Sequence, residues 1–377
     1  MRWNLALTLL GNYISLVREV RLSIVGFGTV GRWLAQAVHR RQAWLESECG
    51  ATVKIVSVAT RRDGFIHHSG GLDVPTLMEL VAAGRPLVDH PGARRWETAL
   101  EGLTNTDCDV LAEASNTDPR KSEPALSHLR RALGRRAHVI TASKGACAAA
   151  ALELLDTARR NGVHFRMEST VMSGTPVIST IREGLAGARV LSVRGILNGT
   201  ANHILTLMDG GLQYPAALGD AQARGYAEPD PSDDVEGHDV VAKVRILAAI
   251  AFGQSLGLND VTARGITGIT SEDILQAARA ERRIRLVASI RTEPESGPSA
   301  RLQARVEPLA LPSGDPLYHV TGVINALAIE TDTLHEVIVQ GPGAGQEQAG
   351  QGIFADLVHV TRNLTPCPED GSAGQIR

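Results

Sequence analysis

The chain has 377 residues, 43% of them hydrophobic, and a formal net charge of -3. That length exceeds one typical domain and allows two substantial cores. The near-balanced charge argues against nucleic acid or an anionic membrane surface as a partner, no run is long and apolar enough to span a bilayer, and Cys49, Cys108, Cys147 and Cys367 lack the spacing of a metal site or disulfide framework, which fits a reducing cytoplasm.

Met1 to Leu16 is mildly apolar, but it holds Asn4 and Asn12 and no small-residue cleavage site. It reads as an extension of the first strand region rather than a signal peptide. Arg21 to Val25 is a short apolar strand. Gly26-Phe-Gly28-Thr29-Val30-Gly31 follows at once, and Arg32 to Arg41 has helical periodicity. Strand, G-x-G-x-x-G and helix in that order form a dinucleotide-binding pattern. Its glycines allow a tight turn and let the pyrophosphate approach the free N–H groups of a helix N-terminus. The second strand, Val53 to Ala59, ends in Thr60-Arg61-Arg62-Asp63. Two guanidiniums suit a 2′-phosphate better than a bare ribose diol, which favours NADP over NAD, although Asp63 leaves NAD open. Val110 to Ser115 and Ala137 to Thr141 read as further strands. Each ends in a polar turn, at Asn116-Thr117 and at Ser143-Lys144. Strands alternating with helices imply an α/β fold with a Rossmann-type doubly wound parallel sheet and ligands at the strand carboxyl ends.

The second half reads as an α+β domain. Strand-like segments begin at Phe165-Arg-Met-Glu-Ser-Thr170 and Val190 to Leu197, and recur at Arg285 to Arg291, Leu302 to Val306 and Leu334 to Gln340. Glu293 to Ala300 reads as a loop, and Gly352 to Arg362 as a return helix after the turn that contains Gly343. The expected division is 20–150 for the dinucleotide domain, 151–335 for the catalytic and dimerisation domain, 336–363 for a return segment and 364–377 for a disordered tail.

Only four of the 38 basic residues are lysines: Lys54, Lys121, Lys144 and Lys243. Where arginine is the default cation, a retained lysine is a candidate for proton transfer, which guanidinium does not perform. The acidic run from Glu228 through Asp234 to Asp239 is stiffened by Pro229 and Pro231. Ser232 is an expected N-cap, and Asp233, Asp234 and Glu236 suit the positive end of a helix. On that helix Asp239 and Lys243 are four apart and share an apolar face. This is either a surface pair or a buried lysine tuned by its neighbour.

The run from Ala221 to Lys243, with Gly-Tyr-Ala, the proline-rich acidic turn and Asp-Val-x-Gly-x-Asp-x-x-x-Lys, resembles the signature of the homoserine dehydrogenases. The likeness extends from Gly26 to Gly345. It implies NAD(P)-linked interconversion of L-homoserine and L-aspartate 4-semialdehyde in threonine, methionine and isoleucine biosynthesis. It assigns Lys243 and Lys144 as catalytic lysines with Asp239 beside them, and Glu228, Asp234, Gly199 and Thr200 to the substrate. The cofactor would meet Gly26, Gly28, Thr29, Val30, Gly31, Arg61, Arg62, Asn116, Thr117, Lys144 and Gly343. Glu168, Val171, Ser173 and Thr175 match positions that bind a structural sodium ion, mostly through backbone oxygens. A homodimer is implied. Ser143 departs from the family's usual asparagine, and the stretch after Gly345 is too short for a further regulatory domain. Two other readings stay open: an aldehyde dehydrogenase with Cys147 as nucleophile, and a nicotinamide-sensing binding protein without catalysis.

Overall fold

The computed structural model describes residues 6–10, 13–115, 121–292 and 301–364. The loop expected at 293–300, the tail from 365 onward, and Asn116 and Thr117 lie outside the described residues. Eight strands form the first sheet: β1 (Ala6–Leu10), β2 (Tyr13–Val25), β3 (Ala51–Thr60), β4 (Gly64–His67), β5 (Arg94–Trp96), β6 (Val110–Glu113), β7 (His138–Thr141) and β8 (Phe165–Arg166). Their order is β5-β4-β3-β2-β6-β7-β8, with β1 antiparallel to β2. The central strands β3, β2, β6, β7 and β8 are parallel. The chain steps from β2 to one neighbour, β3, and later to the other, β6. The strand order reverses there, and the carboxyl ends of β2 and β6 open a crevice.

A second sheet contains β9 (Val190–Ile196), β10 (Val261–Ala263), β11 (Arg282–Thr292), β12 (Leu302–Pro312), β13 (Ile324–Thr331) and β14 (His335–Pro342), in the order β10-β12-β11-β9-β13-β14. The helices Gly199–Asp209, His238–Phe252 and Ser271–Arg279 pack on β11. The helix Gln346–Arg362 returns to the first half and packs on the helix Thr29–Arg40. One apolar core holds Leu22, Ile24, Leu34, Ile55, Ile353 and Leu357. The other runs from Leu111 and Val139 through Leu154 to Ile246, Leu247 and Leu286, so it joins the two halves. Among the described residues no helix is long and apolar enough to cross a membrane.

The architecture is the expected doubly wound sheet plus an α+β unit, with four local differences. β8 pairs with β7, so the first sheet continues past residue 150. β14 pairs with β13, so the return to the first half starts with the helix Gln346–Arg362 rather than at 336. The segment after Phe165 is a two-residue strand followed by the short helix Ser169–Met172. Here Thr170 Oγ1 turns back onto the Met167 carbonyl at 2.7 Å, a local bond that competes with strand pairing. The helix expected from Ser232 onward is two helices. Pro231, not Ser232, stands at the N-cap position of Ser232–Val235, where no side chain caps the helix, and Gly237, at φ 82, breaks the run before His238–Phe252.

Candidate active site

The glycine loop leaves β2 with the N–H groups of Gly26 and Phe27 donating to the Ala59 carbonyl at 3.0 and 3.1 Å. Gly26 sits at φ 93, and a Cβ there would lie 2.2 Å from the Ser115 nitrogen, while a Cβ at Gly31 would lie 2.1 Å from the Gly26 carbonyl. Both positions need glycine. Gly28 differs: nothing stands within 4 Å of its missing Cβ. It precedes the helix that begins at Thr29 and Val30, and no side chain caps that helix. The uncapped N–H groups therefore face open space, as a pyrophosphate requires. The residues present fit a dinucleotide.

At the end of β3, Arg61 and Arg62 are exposed. Arg62 donates to the Arg85 carbonyl and to Asp63, both at 3.3 Å. Asp63 is 7% exposed. Its carboxylate accepts from Thr60 Oγ1 at 2.8 Å and from Arg62, so this acidic group is turned inward and occupied.

The lysines meet although 99 positions separate them in the chain. Lys144 is the first residue of the helix Lys144–Asn161 after β7. The preceding turn is fixed by Thr141 Oγ1, which accepts from the Ser143 N–H and donates to the Glu113 carbonyl, each at 3.0 Å. Lys144 Nζ lies 2.5 Å from Asp239 Oδ1, and Lys243 Nζ lies 2.7 Å from Asp239 Oδ2. Lys243 also donates to the Leu197 carbonyl at 2.6 Å. The Lys144 side chain is 35% exposed and that of Lys243 only 6%. One lysine thus borders the crevice and the other is packed behind it.

Electrostatics separates the two. Asp239 holds the ammonium form of Lys144 and raises it above its ordinary value. Burial outweighs the pull of the same carboxylate at Lys243 and lowers it. Burial acts to raise Asp239, yet the two ammoniums overcome it and hold that carboxyl well below its usual range.

Asn198 joins a second carboxylate to this centre. Its Nδ2 donates to Asp234 Oδ1 at 2.7 Å and to Asp239 Oδ2 at 3.2 Å. Its Oδ1 accepts from the Ala201 N–H at 2.8 Å and caps the helix Gly199–Asp209. Burial is the main reason Asp234 is raised. Thr200 Oγ1 donates to the Tyr226 carbonyl at 2.7 Å and ties the acidic turn to that helix. Glu228 is exposed on the same acidic turn. Sequence reasoning gave Asn198 no role. Its place between a strand and a helix was the available signal, since asparagine there is a strong N-cap.

Around the expected sodium positions, side-chain oxygens are engaged elsewhere. The Glu168 carboxylate accepts from the N–H groups of Ile178 and Ser179 at 2.7 and 2.9 Å. Ser173, at φ 52, donates to the Gly343 carbonyl, and Thr175 to that of Pro342, both at 3.0 Å. Val171 is buried. Cys147 is fully buried and burial pushes its thiol up, which removes the thiolate that an aldehyde dehydrogenase would need.

Comparison with known proteins identifies the family. The family model for the homoserine dehydrogenase NAD-binding domain matches residues 26–168, and that for homoserine dehydrogenase matches residues 176–358. An NAD(+)-dependent homoserine dehydrogenase from Pseudomonas canavaninivorans is 40% identical over 349 residues, 92% of this chain and 97% of that protein. A homoserine dehydrogenase from Methanocaldococcus jannaschii is 34% identical over 338 residues, 89% of this chain and 97% of that protein. A hyperthermophilic archaeal homoserine dehydrogenase solved in complex with NADPH superposes with a TM-score of 0.76 at 29% identity, covering 91% of this chain and 98% of that one. The chain belongs to the homoserine dehydrogenase family, NAD(P)-dependent oxidoreductases acting on a CH–OH group.

Proposed function

We propose that the chain interconverts L-homoserine and L-aspartate 4-semialdehyde with Lys243 as the proton-transferring group. The carrying observation is that two lysines converge on one buried carboxylate at the carboxyl end of the dinucleotide sheet. When bound, the nicotinamide supplies the acceptor for the hydride that leaves the alcohol carbon. The chain must manage the hydroxyl proton. Lys243, lowered by burial, is the better base of the pair. In the reverse direction its ammonium protonates the forming alkoxide. Lys144, more exposed and held as ammonium, orients the reacting oxygen. Asp239 fixes both, Asp234 and Glu228 take the substrate ammonium, and Gly199 and Thr200 border its other end.

NADP is the proposed preference. Arg61 is exposed at the strand end while Asp63 is turned inward, so the ribose end offers guanidinium rather than carboxylate. The NAD(+) dependence of the Pseudomonas relative supports the competing reading. A sodium ion on the carbonyls of 168–175 is proposed as structural, as are service in threonine, methionine and isoleucine biosynthesis and a cytoplasmic homodimer. The dimer reading draws on the edge strand β14, where Ile338 is 45% exposed. The deciding experiment is oxidation of NADPH with L-aspartate 4-semialdehyde, repeated with NADH. Turnover faster with NADPH is expected. No turnover with either cofactor would remove the catalytic reading, and faster turnover with NADH would remove the preference.

A further inference from the structure

Asn325 lies near the start of β13, opposite Gly341 of β14. It is 0% exposed, yet neither Oδ1 nor Nδ2 has a hydrogen-bond partner among the described residues. A buried amide normally finds partners, because its lost hydration is not otherwise offset. Two neighbours show where partners would come from. Ala326 pairs with Ile196, which brings Asn325 beside Leu197, whose carbonyl accepts from Lys243. On the other side, a Cβ at Gly343 would fall 1.9 Å from Asn325 Nδ2. Gly343 is not among the positive-φ glycines. The Asn325 amide, not the backbone angle, is what excludes a side chain there. Thr175 and Ser173 already donate to the Pro342 and Gly343 carbonyls. Asn325 is a donor and acceptor packed against this turn with neither function used.

We propose that Asn325 is a positioning residue for the nicotinamide cofactor: its amide completes its hydrogen bonds on the peptide groups of the 341–345 turn as that turn seats against the bound dinucleotide. The inference rests on the reading of Gly343 as a cofactor contact. On this reading the amide completes its hydrogen bonds only when the cofactor is bound, and it adds little to the stability of the free enzyme. In the bound protein it is paired, so its contribution appears in cofactor affinity. An ordinary structural asparagine would behave in the opposite way.

The test combines two readouts, the melting temperature of the ligand-free protein and the Kd for NADPH from fluorescence titration. Asn325→Ala is expected to leave the melting temperature unchanged or higher and to weaken NADPH by about tenfold. At saturating cofactor kcat should fall by a smaller factor than the NADPH affinity does. A fall in melting temperature with an unchanged Kd would overturn the proposal. Gly343→Ala separates the two layers of the argument. In the natural background its Cβ meets the amide and should weaken NADPH; combined with Asn325→Ala the collision is gone, and the double variant should bind no worse than Asn325→Ala alone. Normal NADPH binding by Gly343→Ala would remove the cofactor reading of that glycine. Weak binding by Gly343→Ala with normal binding by Asn325→Ala would remove the role of Asn325 only.

Discussion

Two buried carboxylates, Asp239 and Asp356, stand in similar surroundings with different cations. Asp239 lies between the ammoniums of Lys144 and Lys243 at 2.5 and 2.7 Å. Asp356, on the return helix, accepts from Arg166 Nε at 3.1 Å and from the Glu168 N–H at 2.8 Å. Burial raises Asp356 to about 7 against the pull of Arg166, and Glu168 adds to the rise. At Asp239 two cations outweigh burial and the carboxyl stays ionised. Arg166 also pairs with Glu183, so it ties β8 to the return helix and to the segment before β9. Guanidinium keeps its proton, which suits a fixed joint; ammonium can give its proton up, which suits catalysis. A buried ion pair is therefore ambiguous until the cation is identified.

The sharpest way to break this contrast is to exchange the cation at the catalytic centre. Lys243→Arg keeps the charge, so the protein should fold and bind NADPH, while kcat falls by about 10²–10⁴-fold, the usual worth of general acid–base catalysis. Circular dichroism and steady-state assays measure both, and near-normal turnover would pass the proton role to Lys144. The joint should respond in the reverse sense. Arg166→Met leaves the buried Asp356 without its cation and should cost about 3–5 kcal/mol of stability, seen as a lower melting temperature, with kcat per folded molecule little changed. An unchanged melting temperature would show that the joint is dispensable. The smallest effect is expected at the cofactor's ribose end. Arg61→Ala combined with Arg62→Ala should weaken NADPH by about ten- to hundredfold and NADH far less; equal losses would show that neither arginine reads the 2′-phosphate.

Local patterns in the sequence carried the glycine loop and the Asp239–Lys243 pair, because both are set by spacing along a few residues. The Lys144–Asp239 contact joins positions 95 apart and is made by the packing of two helices, so no local spacing announces it. β13 escaped notice because it is buried on both faces and lacks the alternation of a half-exposed strand. The break at Gly237 was hidden by acidic residues that suit a helix start on either side of it. Asn198 acts through two carboxylates, Asp234 and Asp239, that the fold brings together. Asn325 is visible only once β14 turns Gly343 onto it.

The central claim is that a lysine on the Asp239 carboxylate moves the proton, and the pH profile of kcat in wild type and Asp239→Asn tests it most directly. Neutral lysine accepts the proton, so homoserine oxidation should rise with pH through the apparent pKa of the lysine pair, and semialdehyde reduction should fall through it. Asp239 pulls both lysines upward, although burial leaves Lys243 below its ordinary value. Asp239→Asn removes that pull, so both limbs should move to lower pH as the overall rate drops. Limbs that stay in place in a folded Asp239→Asn enzyme would contradict the account.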